Sequence, residues 1–417
     1  MKIYKFGGAS IKDAENVRNV LSVITQSNEK NLVVVVSAMG KMTNALENVV
    51  SEYFETGGYE MSLEIVYQFH KNIISDLFKS IDHPIFSKMD AVFSGIKMFL
   101  DNNKSKNHSF VYDQVVCYGE LLASHIVSFY FSQEGLASTW LDVRRCIITD
   151  GNFREAKVDW EATEIKISKK VAINGITITQ GFLGAESTHN FTTTLGREGS
   201  DYTAAIFAYC LNAESVTIWK DVPGVLNADP RYFDKTQLLS QISYREAIEL
   251  AFYGASVIHP KTLQPLQRKE IPLYVKSFIN PKEKGTCVRE GLALEPHVSC
   301  FILKKNLILI SLSSLDFSFM MEDNISEIFK WLHEHKMRVE LIQNSAISFS
   351  VCVSDKYGNL EPLLEQLREK FRVKWNENVT LYTIRHFDPL EIKALREIKQ
   401  VLLKQETQET VQLVIKE

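Results

Sequence analysis

Apolar positions follow two regimes along this chain. Up to about Pro281, short continuous apolar runs alternate with stretches in which apolar residues recur every three or four positions. The clearest run is Leu32 to Val36, a leucine followed by four valines. It has no polar alternation, so it predicts a strand covered on both faces, as in a parallel sheet. Ile3 to Phe6, Val115 to Cys117, Thr139 to Asp142, Ile176 to Gln180, Val216 to Lys220 and Leu273 to Lys276 predict further short strands. Asp13 to Val23 and the segment from Thr43 read as helices. Leu63, Val66, Phe69, Ile73 and Leu77, then Val92, Ile96 and Phe99 after Pro84, predict a helical insertion over residues 60–100. Together these patterns predict an α/β fold, a three-layer αβα sandwich around a mainly parallel sheet, over residues 1–284.

The character changes beyond about Gly285. Leu307 to Leu312 predicts a strand, Ile325 to His335 a helix, Arg338 to Ile342 and Ile347 to Val353 strands, and Glu361 to Phe371 a helix before another strand. That order, βαββαβ, is the split βαβ of ferredoxin-like modules and covers residues 300–378. Thr380 to Arg385, Pro389 to Ile398, Val401 to Leu403 and Thr410 to Ile415 then predict a strand, a helix and two strands. Residues 379–417 are too few for a full second module, so that copy is expected to be incomplete.

Composition narrows the function. A chain of 417 residues is long enough for two or three domains with proper cores. Lys plus Arg is 47 against 51 for Asp plus Glu, without a dense basic cluster, which argues against nucleic acid as a partner. The six cysteines are scattered without CxxC spacing, giving little support to a disulfide framework or a zinc site. Apolar runs such as Leu32 to Val36 are far too short to span a bilayer, and the N-terminus enters a strand directly. A cytoplasmic protein without a membrane partner is expected.

Two glycine-containing turns carry the candidate chemistry. The stretch Thr192 to Ala205, TTTLGREGSDYTAA, leads hydroxyl residues into Gly196, Arg197, Glu198, Gly199 and Ser200 ahead of a helical run from Tyr202 to Leu211. Ser200 or Asp201 is the expected N-cap. Backbone N–H groups and the positive end of the helix dipole would face an anion there, with Arg197 available for a forked contact. At the start of the chain, the strand Ile3 to Phe6 meets Gly7 and Gly8, and Ser10 precedes the helix. Lys5 lies at the carboxyl end of that strand, where functional groups collect in open α/β sheets, and can act as a point charge on a transferring phosphoryl group. Neither stretch matches a P-loop or a dinucleotide-binding fingerprint. A phosphate enzyme of another design is indicated.

With these motifs in hand, the chain resembles the aspartokinases, amino-acid kinases with C-terminal ACT domains. KFGGAS (Lys5 to Ser10) is similar to the family's KFGGTS, SAMGKMTNAL (Ser37 to Leu46) to its second loop, and YGELLAS (Tyr118 to Ser124) to its HGE segment. ITQGFLG (Ile178 to Gly184), TTTLGREGSDYTAA, WKDVPGVLNADPR (Trp219 to Arg231) and YGASVIHPKTL (Tyr253 to Leu263) follow in the family's order. The resemblance implies transfer of the γ-phosphoryl group of ATP to the side-chain carboxylate of L-aspartate, with Mg2+, as the first step of lysine, threonine and methionine biosynthesis. It implies Lys5 on the phosphates, with Gly7, Gly8 and Ser10 around it. Asp201 would orient Lys5 or the substrate. Arg197 would grip a substrate carboxylate, Glu120 and Thr43 would fix the amino end, and Gly199 and Ser200 would stand beside them. Lys220, Asp221, Leu226, Arg231, Ser256 and Val257 would border the nucleotide. The metal ligands stay open.

The resemblance also implies a homodimer paired through the ACT domains, with an amino acid such as lysine or threonine as effector. Met320 to Asn324 and Glu340 to Ser345 match the effector positions only loosely, so a purely structural dimerisation module is an equal expectation. No homoserine dehydrogenase region follows the ACT-like tail, so a monofunctional enzyme is expected. His259, ahead of a proline, is expected to be structural, and Asp229-Pro230 a turn.

Four positions depart from the family pattern. Glu198 stands where glycine is usual, and its side chain is expected to point outward or to pair with a nearby base. Lys220 replaces a threonine, Leu226 a tyrosine and Ser256 a lysine. Losing that lysine would remove one charge-assisted contact to phosphate, roughly 1.5 to 3 kcal/mol, which Lys220 is expected to restore. Two other readings remain: a kinase of glutamate or a related acid, and an amino-acid sensor whose kinase site has decayed.

Overall fold

In the computed structural model, which describes residues 1–172, 174–255, 258–316 and 318–416, the chain forms two compact units. The first comprises Met1–Val225, Leu238–Ala251 and Ser256–Pro296. It opens with β1 (Lys2–Phe6), α1 (Ala14–Ser27), β2 (Asn31–Val36), α2 (Met42–Glu55), α3 (Glu60–Leu77), α4 (Pro84–Asn102) and α5 (His108–Gln133). It continues with β3 (Ser138–Leu141), β4 (Ile148–Thr149), α6 (Trp160–Lys170), β5 (Gly175–Gln180), β6 (Leu183–Glu186), β7 (Thr192–Thr194), α7 (Gly199–Leu211) and β8 (Ser215–Lys220). The remaining elements are β9 (Gln241–Ile242), α8 (Tyr244–Tyr253), α9 (Pro260–Arg268), β10 (Leu273–Ser277) and β11 (Thr286–Val288).

Eight strands form one sheet in the order β3-β5-β2-β1-β8-β10-β11-β9, parallel throughout except where β10 meets β11. The valine run is its interior: β2 lies between β1 and β5, and Leu32 to Val36 have no exposed surface. Parallel strands covered on both faces need no polar alternation, which is why the run reads as it does. A small second sheet, β4-β6-β7, leads the chain into the turn before α7.

One expected strand is helix. Val115 to Cys117, with Gly119 and Glu120, lie inside α5. Most of α5 is buried, around its whole circumference, so no polar stripe marks a 3.6-residue period and its apolar run looks like a strand. At 26 residues α5 is also long and apolar enough to cross a bilayer, contrary to the reading of apolar runs alone. It is the core helix of this unit, and His125, Asp113 and Glu120 are buried along it.

The second unit comprises Leu226–Gln237, Phe252–Ala255 and His297–Glu417. Its elements are β12 (Cys300–Ser314), α10 (Glu322–Glu334), β13 (Arg338–Asn344), β14 (Ser348–Ser354), α11 (Leu360–Arg368), β15 (Phe371–Arg385), α12 (Pro389–Ile398), β16 (Gln400–Glu406) and β17 (Thr410–Lys416). The sheet order β13-β14-β12-β15 is that of a ferredoxin-like module, around a core of Ile310, Ile328, Phe349, Val351 and Leu364. Both long strands run on into a second module. The pairing of β12 with β15 shifts register between Lys304 and Leu309, where Asn306 and Asn378 adopt left-handed backbone. Beyond that break, Cys300 to Lys304 pair with Leu381 to Arg385, next to β17 and β16. The second module therefore completes its four strands by borrowing the start of β12 from ahead of the first, with α12 as its own helix.

Candidate active site

A cleft of about 820 Å3 opens at the carboxyl ends of β1 and β8, lined among others by Lys5, Gly8, Thr43, Glu120, Arg197, Gly199, Ser200, Asp201 and Lys220. Sequence order scatters these residues, and the parallel sheet collects them. Gly8 explains how closely the first two turns meet. A Cβ there would lie 2.6 Å from the Gly40 carbonyl and 2.8 Å from that of Ala38, so only glycine lets Gly8 accept a hydrogen bond from the Gly40 amide at 3.0 Å.

The centre is an ion pair. Lys5 Nζ lies 2.6 Å from Asp201 Oδ1, with side chains only 9 and 3% exposed. Lys220 Nζ stands 3.7 Å from the other carboxylate oxygen. Burial pushes the Asp201 carboxyl up, but the fields of Lys5 and Lys220 outweigh it and hold the group below the usual aspartate range. A carboxylate shared by two ammonium groups fixes both where phosphate oxygens could lie.

Asp201 and Ser200 are not the N-cap of α7. The helix begins at Gly199 and its N-cap is Glu198, in left-handed backbone with φ 52°. The cap comes early because Gly196, at φ 79°, already turns the chain and accepts from the Gly199 amide. Asp201 thus sits inside the first turn, where its charge also favours the helix dipole. Glu198 does not point outward. It lines the cleft, its Oε2 is buried without a hydrogen-bond partner among the described residues, and desolvation raises its pKa against the opposing pull of Lys220 and Lys5. An unrelieved left-handed residue costs about 1 kcal/mol. Glu198→Gly is therefore expected to raise the thermal midpoint, read by calorimetry against the parent chain.

Glu120 reaches the cleft from α5. Its Oε1 accepts from the Thr43 hydroxyl at 3.3 Å, and its Oε2 is buried without a partner among the described residues. Burial pushes its carboxyl up to about 8, despite opposing hydrogen bonds. Thr43 is not a cap: Lys41 holds that position at the start of α2, which leaves the Thr43 hydroxyl for Glu120. Arg197 is exposed at the cleft wall, and among the described residues no carboxylate lies within ion-pair distance of it.

Sequence reasoning missed a second guanidinium. Arg154 lines the same cleft, in left-handed backbone at φ 72°. Its Nη2 donates to Glu47 Oε1 at 2.7 Å, and its guanidinium lies 4.0 Å from the centre of the Tyr112 ring. The buried Asp113 carboxylate anchors this corner by accepting from the Arg154 amide and from the Thr194 amide and hydroxyl, at 2.8 to 3.0 Å. Asp113 and Glu120 are seven residues apart, two turns on one face of α5. That spacing was the available signal, and it was lost once the segment read as a strand.

The expected nucleotide residues divide. Ser10 is fully buried and its hydroxyl donates to the Trp219 carbonyl at 3.3 Å, which joins the first turn to β8 rather than lining the cleft. Gly7 lies beside Lys5 in that turn, and Asp221 is exposed just past β8. Leu226 and Arg231 belong to the second unit, where Arg231 forks onto Asp229. Ser256 and Val257 lie outside the described residues. His259 caps α9, its Nδ1 accepting from the Lys261 amide at 3.2 Å. The six cysteines are free thiols, five of them buried.

An open parallel sheet in which a strand-end lysine pairs with an aspartate in the first turn of a helix, beside glycine turns, defines a phosphotransferase of the amino-acid kinase type. The amino acid kinase family model matches residues 1–277, and the chain belongs to that family, within its aspartokinase branch. It is 30% identical over 397 residues to the lysine-sensitive aspartokinase 3 of Escherichia coli (strain K12), covering 92% of this chain and 86% of that protein. It is also 30% identical to the chloroplastic bifunctional aspartokinase/homoserine dehydrogenase 2 of Arabidopsis thaliana, covering 88% of this chain but 42% of that protein. This chain thus spans less than half the length of that bifunctional relative. The crystal structure of E. coli aspartokinase III with lysine and aspartate (T-state) superposes with a TM-score of 0.84 at 27% identity, covering 99% of this chain and 95% of that one. Its complex with aspartate and ADP (R-state) gives 0.81 at 28% identity, covering 100% and 96%.

Proposed function

We propose that the protein is an aspartate kinase, which transfers the γ-phosphoryl group of ATP to the side-chain carboxylate of L-aspartate and yields 4-phospho-L-aspartate and ADP. The observation that carries this reading is the Lys5–Asp201 pair in one cleft with Arg197, Glu120 and Thr43. A carboxylate nucleophile is already ionised near neutrality and needs no general base. Catalysis then rests on aligning two anions and compensating charge on the migrating group. Lys5, held by Asp201, meets the phosphoryl oxygens, and Lys220 supports it from β8. Arg197 takes a substrate carboxylate, and Arg154 offers a second fork at the same wall. Glu120 and Thr43 receive the ammonium group.

Magnesium would arrive on the ATP phosphates, where phosphate and water supply most of its octahedral shell and where it neutralises phosphate charge. Asp201 is already engaged by two lysines, which leaves it little capacity as a metal ligand. We place the enzyme in the cytoplasm, in the route to lysine, threonine and methionine, as a homodimer paired through its ferredoxin-like modules.

The deciding experiment is an ADP-release assay with aspartate and glutamate side by side. Turnover with aspartate at least tenfold above glutamate is expected; preference for glutamate, or no turnover with either, would overturn the reading. The same assay with added lysine, threonine and methionine tests the amino-acid effector.

Two further outcomes follow from the cleft. Arg154→Ala is expected to raise the aspartate KM about tenfold with kcat within threefold, the cost of one charge-assisted contact of about 1.5 kcal/mol. An unchanged KM would exclude Arg154 from substrate binding. Glu120 gives a pH signature. With its carboxyl held near 8 in the free protein, the arriving ammonium must displace a proton, so aspartate should bind more tightly as pH rises from 6 to 8. Glu120→Gln should abolish that slope, measured as KM against pH.

A further inference from the structure

We propose that the opposite face of the sheet carries a second ligand site, for a small aromatic carboxylate. A cavity of about 950 Å3 opens there, lined by Tyr4 of β1, Thr217 and Trp219 of β8, and Tyr274 and Lys276 of β10. β8 lies between β1 and β10, and these residues alternate along parallel strands, so they share one face. Lys5 and Lys220, each one residue further along, line the cleft instead, and among the described residues none lines both cavities.

Among the described residues, two polar groups in this cavity are left without the partners that burial demands. Lys276 is half-buried, and its ammonium lies over the Trp219 ring, 5.4 Å from its centre. Desolvation lowers its pKa, and among the described residues no carboxylate lies within ion-pair distance. Trp219 is 4% exposed, and among the described residues its indole N–H has no hydrogen-bond partner. A buried donor left unmet and an ammonium without a counter-ion both cost stability that an anion would recover.

The rest of the lining favours the same ligand. Lys282 and Lys284 add positive charge from the loop after β10. Glu214 and Lys2, also on the lining, are taken up elsewhere, Glu214 by the N-terminal amine and Lys2 by Glu29, each at 2.5 Å. The net field is therefore positive. Tyr4, Trp219 and Tyr274 provide flat apolar walls for a ring, while the carboxylate meets Lys276.

Salicylate serves as the probe, titrated into the full chain by calorimetry and intrinsic tryptophan fluorescence. Saturable binding of one molecule per chain is expected, weakened at least tenfold by Lys276→Met and kept within threefold by Lys276→Arg. Tyr274→Ala, at the rim, provides a second lesion and should weaken binding at least threefold. Lys5→Met should leave binding unchanged, which separates this site from the catalytic cleft and its test from the kinase assay. No saturable binding at millimolar salicylate would overturn the proposal. So would binding that Lys276→Met leaves intact, or that Lys5→Met abolishes.

Discussion

Replacing Lys5 by methionine is expected to lower kcat for aspartate phosphorylation about 10²- to 10³-fold, roughly 2.7 to 4 kcal/mol of transition-state stabilisation, with the aspartate KM changed less than threefold. The split follows from geometry. Lys5 is tied to Asp201 at 2.6 Å at the end of β1, while Glu120, Thr43 and Arg197 lie on other elements of the cleft wall. Methionine keeps the length and apolar stem of the side chain, so packing between β2 and β8 should survive. Initial rates at saturating ATP give the answer, and an unchanged kcat would remove Lys5 from the chemistry.

Asp201→Asn is expected to damage both stability and turnover. The carboxylate is 2% exposed and compensates two lysines at once, so its loss leaves the buried Lys5 ammonium without its carboxylate, a cost of about 3 to 5 kcal/mol. Denaturant unfolding should show that loss, and kcat should fall with it because Lys5 and Lys220 no longer have a fixed position. The sign with pH follows from a folded pKa below the ordinary aspartate value. The unfolded chain binds the proton more readily, so the contribution is complete above pH 4 and disappears as pH falls through the folded pKa. Stability of the parent chain should therefore decline more steeply than that of the asparagine variant below pH 4. Parallel acid slopes would mean that the pair contributes nothing to folding.

Lys220 is where sequence and structure supply different reasons for one residue. By its sequence position, Lys220 substitutes for the charge missing at Ser256. In the structure it is the second cation on Asp201, and its field opposes the desolvation of Glu198. Of the four departures from the family pattern, Lys220 and Glu198 are thus linked through charge, since Lys220 acts on both Asp201 and Glu198. Lys220→Thr separates these roles: if it changes neither ATP affinity nor turnover, compensation for Ser256 is excluded, and a fall in the thermal midpoint alone would assign it to the charge balance around Asp201.

Much of the architecture was legible because local chemistry and fold agree. Four valines in a row can only be comfortable between two layers, and Asp13 caps α1 by accepting from the Asn16 amide at 2.8 Å, as an aspartate before a helix should. The ferredoxin-like helices were legible for the same reason, since α10 buries Ile328, Trp331 and Leu332 and α11 buries Leu363, Leu364 and Leu367, each at helical spacing with a wet opposite face. α5 failed for the converse reason. A helix buried all round has no periodic signal, and with it went Glu120's true setting, Asp113, and the Arg154 corner that Asp113 anchors.

What the sequence by itself determined is the inventory and the order: a lysine at a strand end, glycines where backbones must meet, an acid beside an arginine ahead of a helix, and a change of architecture after the catalytic region. These are local properties, written in the chemistry of neighbouring residues. What only the tertiary structure decided is which charges face one another and which are left without partners. Asp201 stays ionised because two lysines from different strands converge on it, Glu120 is pushed towards neutrality because α5 carries it into the core, and Glu198 turns inward because Gly196 starts α7 early. Electrostatic energy depends on distance and burial, and both are set by strands and helices far apart in the chain.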